Sequence, residues 1–382
     1  MNSEKTIDSI PIDLLYEIFS RLPTKLVGRC RCVSKQWASI LGRQDFTQLF
    51  LTRSSTRPRL LFASERANDE WLFYSSPHPQ NTYEKSIVVS VDFHTKCADL
   101  KTEGEDSVPV ICNPLTGRYA ILPKRLRTDI QPISFFGFDP VDKQYKVLLM
   151  NGILNKETVH HILTLGTGIM RWRKIQCPFT HKPYGEGICI NGVLYCLARP
   201  IDESSDVIVC FDVRSEKFKY TRAPSFDQLI NYKGKLGGII MKYEHDNNYY
   251  KWRTRELCMW VLEDVEKQEW SECVFRFPDD GFCEHLSVVG ITATSEIVLW
   301  ESWSSYKSSV IYFSPERNTF QKVIFKGGGP NCGIVYAFVD HIDDLSVIDT
   351  KQLKSSIYDL RTSEAFKSIN KFDALCHLDD DL

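Results

Sequence analysis

No C-x-x-C pair occurs in the 382 residues, although there are 13 cysteines; the closest two are Cys30 and Cys32. Zinc ribbons and thioredoxin-type redox motifs therefore lack their basic unit, and an odd count cannot pair completely within one chain. Cys189, Cys196, Cys210 and Cys258 sit in apolar stretches. Free cysteine is among the most buried residue types, so they read as small hydrophobes in a reducing compartment. No run approaches the ~18 apolar residues needed to cross a bilayer. The charged opening, Met1 to Asp8, lacks the apolar stretch of a signal peptide. Bulk charge is missing too: 47 Lys plus Arg against 49 Asp plus Glu leave a formal net charge of −2. That disfavours nucleic-acid binding through overall charge. The expectation is a soluble protein of the cytosol or nucleus, with no nucleic-acid or membrane partner.

Catalytic and cofactor motifs are absent as well. G-x-S-x-G, H-E-x-x-H and G-x-x-x-x-G-K-S/T do not occur. His160-His161 is the one adjacent histidine pair, and strand neighbours point to opposite faces, so the pair cannot chelate one ion. Asp279-Asp-Gly281 lacks the remaining positions of a calcium loop. Gly327-Gly-Gly-Pro330 reads as a plain loop, because no helix follows to supply a dipole. Gly166-Thr-Gly168 reads as a hairpin turn. Trp252, Trp260, Trp270, Trp300 and Trp303 read as core residues before they read as a ligand groove. The expectation is a non-catalytic chain with no cofactor and no metal.

What is present has two textures. Hydrophobic residues make up 43% and charged residues 25%, the norm of globular chains, and the length suggests two domains. In the first fifty residues Leu14, Leu15, Ile18, Phe19 and Leu22 recur at helical spacing. Pro11 suits a first helical turn and Pro23 ends the run. Leu26, Val27, Cys30 and Val33 mark a second helix, and Ser34 is placed to cap a third bearing Trp37, Ala38, Ile40 and Leu41. Three short helices over about forty residues are too few for a self-sufficient core, and metal or disulfide patterns are lacking, so a partner is the remaining support.

From about Leu60 the texture changes to short strands. Asn191-Gly192, Asn151-Gly152 and Thr116-Gly117 interrupt them as turn signals. A hairpin pattern also repeats: Val209 to Phe218, Trp260 to Trp270 and Ile311 to Phe320, with weaker copies at Ile111 to Tyr119 and Ile162 to Trp172. The copies lie roughly fifty residues apart, within the period range of propeller blades. This predicts an all-β propeller or propeller-like domain over 60–345, with a β-sandwich array as the alternative. After Asp340 the strand signal fades, and 346–382 reads as a poorly ordered or loosely helical tail.

The segment from Ile10 to Pro23, continued by Arg29-Cys-Arg-Cys-Val-Ser-Lys-Gln-Trp37, closely resembles the F-box. It predicts a small all-α domain over 4–50. The stretches Cys112 to Gly117, Phe136 to Leu148, Gly187 to Tyr195 and Val261 to Trp270 resemble the β-propeller type of F-box-associated domain found in plant F-box proteins. In one departure, the acidic and polar stretch Leu100 to Val108 stands where that family has an apolar strand. The resemblance implies the substrate receptor of an SCF-type cullin-RING ubiquitin ligase, docked on a Skp-type adaptor and recruiting an unknown protein substrate. The adaptor-facing candidates it implies are Ile10, Pro11, Leu14, Leu15, Ile18, Leu22, Pro23, Val33 and Trp37. Of these, Pro11, Leu14, Leu15 and Pro23 are placed on the contact surface, and Ile18, Val33 and Trp37 are candidates for the interior. Arg21, Lys25, Arg29, Arg31 and Lys35 make the region locally basic, either to steer an acidic partner or as a solvated face. A DNA-reading helix is disfavoured, because Val33 and Trp37 interrupt the surface it would need. The alternative function is a propeller lectin or enzyme with a helical interaction appendage.

Overall fold

Pro11 takes the N-cap position of the first helix, α1 (Ile12–Phe19). The computed structural model describes residues 10–345 apart from 67–69, 80–84, 98–109, 115–117, 124–132, 155–156, 167–169, 202–204, 247–250, 278–285, 302–308 and 327–334. Pro23 caps the second helix, α2 (Thr24–Arg31), so this one proline closes the α1 turn and opens the next helix. Ser34 caps α3 (Lys35–Leu41) as expected: its Oγ accepts the Trp37 backbone N–H at 3.1 Å. The structure corrects the helix count by adding α4 (Gln44–Ser55). Phe46, Leu49 and Phe50 are spaced three and four apart, the helical signal, but lie beyond Gly42, where the three-helix pattern ends. Phe46 and Phe50 are buried with Leu15, Phe19, Val27, Ile40 and Leu41 in one core.

The regular elements in the rest of the described chain are all strands. In order the strands are β1 (Arg59–Arg66), β2 (Glu70–Pro77), β3 (Ser86–Ser90), β4 (Asp92–Cys97), β5 (Val110–Asn113), β6 (Arg118–Ile121), β7 (Ile133–Asp139) and β8 (Gln144–Leu154). They continue as β9 (Glu157–Thr164), β10 (Arg173–Ile175), β11 (His181–Ile190), β12 (Val193–Pro200), β13 (Val207–Asp212), β14 (Lys217–Arg222), β15 (Gln228–Tyr232) and β16 (Lys235–Asp246). The last are β17 (Lys251–Asp264), β18 (Glu269–Arg276), β19 (Leu286–Ile291), β20 (Ile297–Glu301), β21 (Ser309–Ser314), β22 (Thr319–Lys326) and β23 (Val335–His341).

Blades two to four are the antiparallel sheets β7–β10, β11–β14 and β15–β18. Blade five is β19–β22 and blade one is β23-β1-β2-β4. The inner strands follow one another around the ring, β7 beside β11, β11 beside β15, β15 beside β19 and β19 beside β23. This is a five-bladed propeller, and the sandwich alternative is excluded. Two devices interlock the first and last blades. β23 enters blade one beside β1, and β3 leaves blade one to pair in parallel with β22. Their shared core holds Leu60, Phe62, Leu72 and Tyr74 from one blade and Val298, Val310, Tyr312 and Val323 from the other.

Repeated turn chemistry makes the blades. Asp139 Oδ1 accepts the backbone N–H of Val141 at 2.9 Å, Asp212 Oδ1 that of Ser215 at 2.6 Å, and Asp264 Oδ1 those of Glu266 and Lys267 at 2.9 Å. The residue four positions after each Asp, namely Lys143, Glu216 and Gln268, has positive φ. An Asx turn followed by a left-handed residue closes each hairpin and sends the next aromatic into the following strand. Asn191-Gly192 is a turn as expected, with both residues at positive φ.

Asn151-Gly152 is not a turn. It lies within β8, where the β8–β9 register shifts between Met150 and Ile153, so this Asn-Gly marks an irregularity in the ladder. The Ile111 to Tyr119 copy is not a blade hairpin either. β5 and β6 form a separate two-stranded sheet between blades one and two. Ile111 packs with Val147 and Leu163 of blade two, and Cys112 against Ala63 and Phe73 of blade one. Trp260, Trp270 and Trp300 pack on blade cores, as expected. Thr116-Gly117, the acidic stretch of 100–108, Asp279 to Gly281, Gly327 to Pro330, Trp303 and the tail of 346–382 lie outside the described residues. Among the described residues no helix is long and apolar enough to cross a membrane.

Candidate functional site

The apolar residues of α1 form two stripes, and only one can face inward. Leu15 and Phe19, one turn apart, point into the helical core; Leu15 is 3% exposed. Leu14 and Ile18, also one turn apart, stand outside at 54% and 50%. Val33, just past α2, is 64% exposed, and Ile12 and Leu26 are exposed too. Pro11 and Pro23 lie at the surface. Ile10, Leu22 and Trp37 are half-buried against the core, and the Trp37 ring meets Phe19 edge-on at 4.7 Å.

The sequence-derived assignment is thus corrected in three places. Leu15 is internal and unavailable to a partner. Ile18 and Val33 are external. Adjacent leucines on a helix are about 100° apart, and here the core takes Leu15 and leaves Leu14 outside. Trp37 is largely internal, as expected. Ile12 and Leu26 were missed. Their signal was apolar character at positions that do not continue the inward stripe of Leu15, Phe19 and Val27.

Polar contacts hold this arrangement. Tyr16 Oη donates to Asp45 Oδ1 at 2.9 Å, tying α1 to the start of α4. That bond lowers the Asp45 pKa, while burial, then the same bond, raises that of Tyr16. Arg53 on α4 donates to Ser20 Oγ at 2.7 Å and to the Glu17 carbonyl at 3.1 Å, and it also pairs with the Glu17 carboxylate. Arg21 pairs with the same carboxylate, and the two guanidinium groups, Arg53 first, hold Glu17 below the usual carboxylate range. The basic group is therefore partly consumed by the fold. Arg21 serves Glu17, and Arg31 donates to the Leu41 carbonyl at 2.6 Å, at the C-terminal end of α3.

The helices do not hang free of the propeller. Leu345, just beyond the last blade strand, is buried in the helical core. Thr24 Oγ1 donates to Asp343 Oδ2 at 2.7 Å, and Asn113 Nδ2 to the Asp344 carbonyl at 3.1 Å. The helical core thus receives part of its cover from α4 and from the propeller's own exit segment. The support that the sequence assigns to a partner is in part internal, and Leu14, Ile18 and Val33 stay uncovered.

Two family models match the chain: an F-box domain over residues 7–49 and an F-box associated beta propeller domain over residues 59–342. A putative F-box protein of Arabidopsis thaliana is 50% identical over 378 residues, covering 90% of this chain and 67% of its own length. A second putative F-box protein from the same plant is 50% identical over 374 residues, covering 91% and 93%. F-box only protein 12, also of Arabidopsis thaliana, is 48% identical, covering 91% and 85%. Solved propellers superpose loosely; the propeller domain of a Pyrococcus furiosus protease does so at 11% identity and TM-score 0.34, covering 68% of this chain and 70% of its own. With the fold and both domain matches in agreement, the chain belongs to the F-box proteins that carry an F-box-associated β-propeller domain.

Proposed function

We propose that the chain is the substrate-recognition subunit of an SCF-type cullin-RING ubiquitin ligase, non-catalytic itself. The α1–α4 unit docks on a Skp-type adaptor, and the propeller recruits a protein for ubiquitylation. The observation that carries this reading is the pair Leu14 and Ile18, large aliphatics one helical turn apart and half in water on a unit whose core is already filled. Full burial of such a side chain is worth about 1.5–3 kcal/mol, so covering two that are half exposed returns about 1.5–3 kcal/mol together. Val33, Ile12 and Leu26 of the same unit are exposed as well and add to the apolar area that a partner can cover. Lys25 and Lys35, exposed on the same helical unit, favour an acidic partner surface.

The contacts of Leu345 and Thr24 bear on the mechanism. A receptor must hold its cargo at a set position relative to the ligase. A helical unit sharing its core with the propeller's exit segment moves with the propeller rather than on a loose tether. The placement in cytosol or nucleus is part of the same proposal; the cysteines among the described residues are free thiols, as suits a reducing compartment.

The test is co-expression of the full chain with a Skp-type adaptor, followed by co-purification. Wild type is expected to form a stoichiometric complex. Pro11→Ala with Leu14→Ala, and separately Leu14→Ala with Ile18→Ala, should lose it while the melting temperature stays within a few degrees of wild type. Undiminished complex in both double variants would remove the reading.

A further inference from the structure

Between blades two and three the chain gathers nitrogen and sulfur donors that adaptor docking does not use. His160 lies on β9, His181 opens β11, and Cys177 sits in the connection between the blades. Their donor atoms all lie within 4.8 Å of one another. Cys177 Sγ is 3.9 Å from His181 Nδ1. Both imidazoles are fully buried. Among the described residues, neither ring nitrogen of His160 has a hydrogen-bond partner, and neither does His181 Nε2. His181 Nδ1 is 3.3 Å from the Phe179 carbonyl.

Buried polar atoms are nearly always paired, and those that are not call for an explanation such as strain, ordered water or an ion. An ordered water would find two to four polar partners here, but a thiol beside two imidazoles is also the donor set of a soft metal ion, and aromatic rings pack against both histidines. The Phe218 ring lies 5.4 Å from His160 and the Phe179 ring 5.0 Å from His181. Two further sulfurs belong to the paired strands β8 and β12. Met150 is opposite His160 in the β8–β9 register, and Cys196 Sγ lies 3.7 Å from the Met150 sulfur. Ligand atoms around one ion at 2.0–2.3 Å stand about 3.3–3.8 Å apart, so small side-chain rotations bring these three to coordinating distance.

We propose that His160, Cys177 and His181 bind one soft closed-shell cation, Cu(I), at the seam of blades two and three. Thiolate and thioether sulfur with imidazole select Cu(I) or Zn(II) among common metals. Charge separates the two. One thiolate and two neutral imidazoles carry −1, so Cu(I) leaves the buried site neutral, whereas Zn(II) leaves it positive in apolar surroundings. Zinc also takes four ligands in closed sites, and three donors are assembled here. On binding, the Cys177 S–H bond breaks, the S–Cu bond forms and the proton leaves to water; no electron is transferred. The ion would cross-link blades two and three, which are also joined by the Lys146–Glu216 and Arg173–Glu216 ion pairs. This goes beyond receptor function and does not depend on it.

The experiment uses the full chain, reduced and metal-free, with exposed Cys32 and Cys273 replaced by serine to lower adventitious copper binding. It is titrated anaerobically with Cu(I) against a chromophoric Cu(I) chelator, and with Zn(II) in parallel. One Cu(I) per chain and a melting temperature raised by several degrees are expected, with both lost in Cys177→Ser and the affinity at least tenfold weaker in His160→Leu. Should those variants fail to fold, X-ray absorption of the copper-loaded parent decides: a shell of two nitrogens and one or two sulfurs supports the site, and an all-sulfur shell overturns it. Copper binding unchanged by Cys177→Ser, no stoichiometric copper, or zinc bound at one per chain in preference to copper each overturns the assignment.

Discussion

Helix α1 and the core strands of the propeller treat the same kind of residue in opposite ways. In β13 and β21 nearly every side chain is buried, because a blade packs against a neighbour on each side. In α1 three of the four large aliphatics, Ile12, Leu14 and Ile18, point out. A blade core is completed by the chain itself, while the F-box leaves apolar surface that its own fold does not use. An exposed leucine alone means little, but Leu14 and Ile18 lie one turn apart on a single helix face, and Val33 of the same unit is exposed as well.

The sharpest way to break that contrast is to truncate matched residues in each region. Phe211→Ala, in the blade-three core with Phe218 at 4.8 Å, should cost about 3–5 kcal/mol in denaturant unfolding and leave adaptor affinity unchanged in whatever fraction remains folded. Leu15→Ala should cost about 2–5 kcal/mol and weaken adaptor binding only through lost folding. Leu14→Ala with Ile18→Ala should do the reverse, with stability within about 1 kcal/mol of wild type and adaptor affinity falling roughly 10- to 100-fold. If Leu14 and Leu15 behaved alike, the division of α1 into two faces would be wrong.

Leu345→Asp probes the junction of the two regions. A carboxylate has no partner in the apolar helical core, so the helices should loosen from the propeller. Faster hydrogen exchange in α1–α4, with unchanged exchange in blades three and four, is the expected pattern. Exchange that rises equally everywhere would mean the two regions unfold as one.

The smallest effect expected is a pH slope within the propeller. His94 donates to or accepts from Ser75 Oγ at 2.7 Å, and burial lowers its pKa to about 4, against 6.5 for a free histidine. Between those values the unfolded chain binds more protons than the folded one, so stability falls as pH drops from 6.5 toward 4. His94→Gln should flatten the melting-temperature profile in that window. A profile identical to wild type would assign the slope to other groups.

How far the sequence reached can be traced residue by residue. Ser34 as a cap, Pro11 and Pro23 at helix boundaries and Asn191-Gly192 as a turn were legible, because each depends on local backbone chemistry. The outer hairpins of blades two to five were legible for the same reason. Asn151-Gly152 and the Ile111 to Tyr119 hairpin were misread, because their local signals match a turn and a blade hairpin while the surrounding ladders put them to other uses. Helix α4 carried its signal in Phe46, Leu49 and Phe50, inside the expected 4–50 unit but past the three helices read there.

The sequence by itself determined the two-part plan, the helix caps and the strand-turn rhythm, since these follow from φ preferences and periodicity within a dozen residues. Only the tertiary structure decided which of Leu14 and Leu15 faces water, that Leu345 returns to the helical core, that β3 and β23 lock the ring, and that His160 meets Cys177 and His181. Each of those depends on which distant surfaces compete for the same apolar contact, and no local preference encodes that outcome.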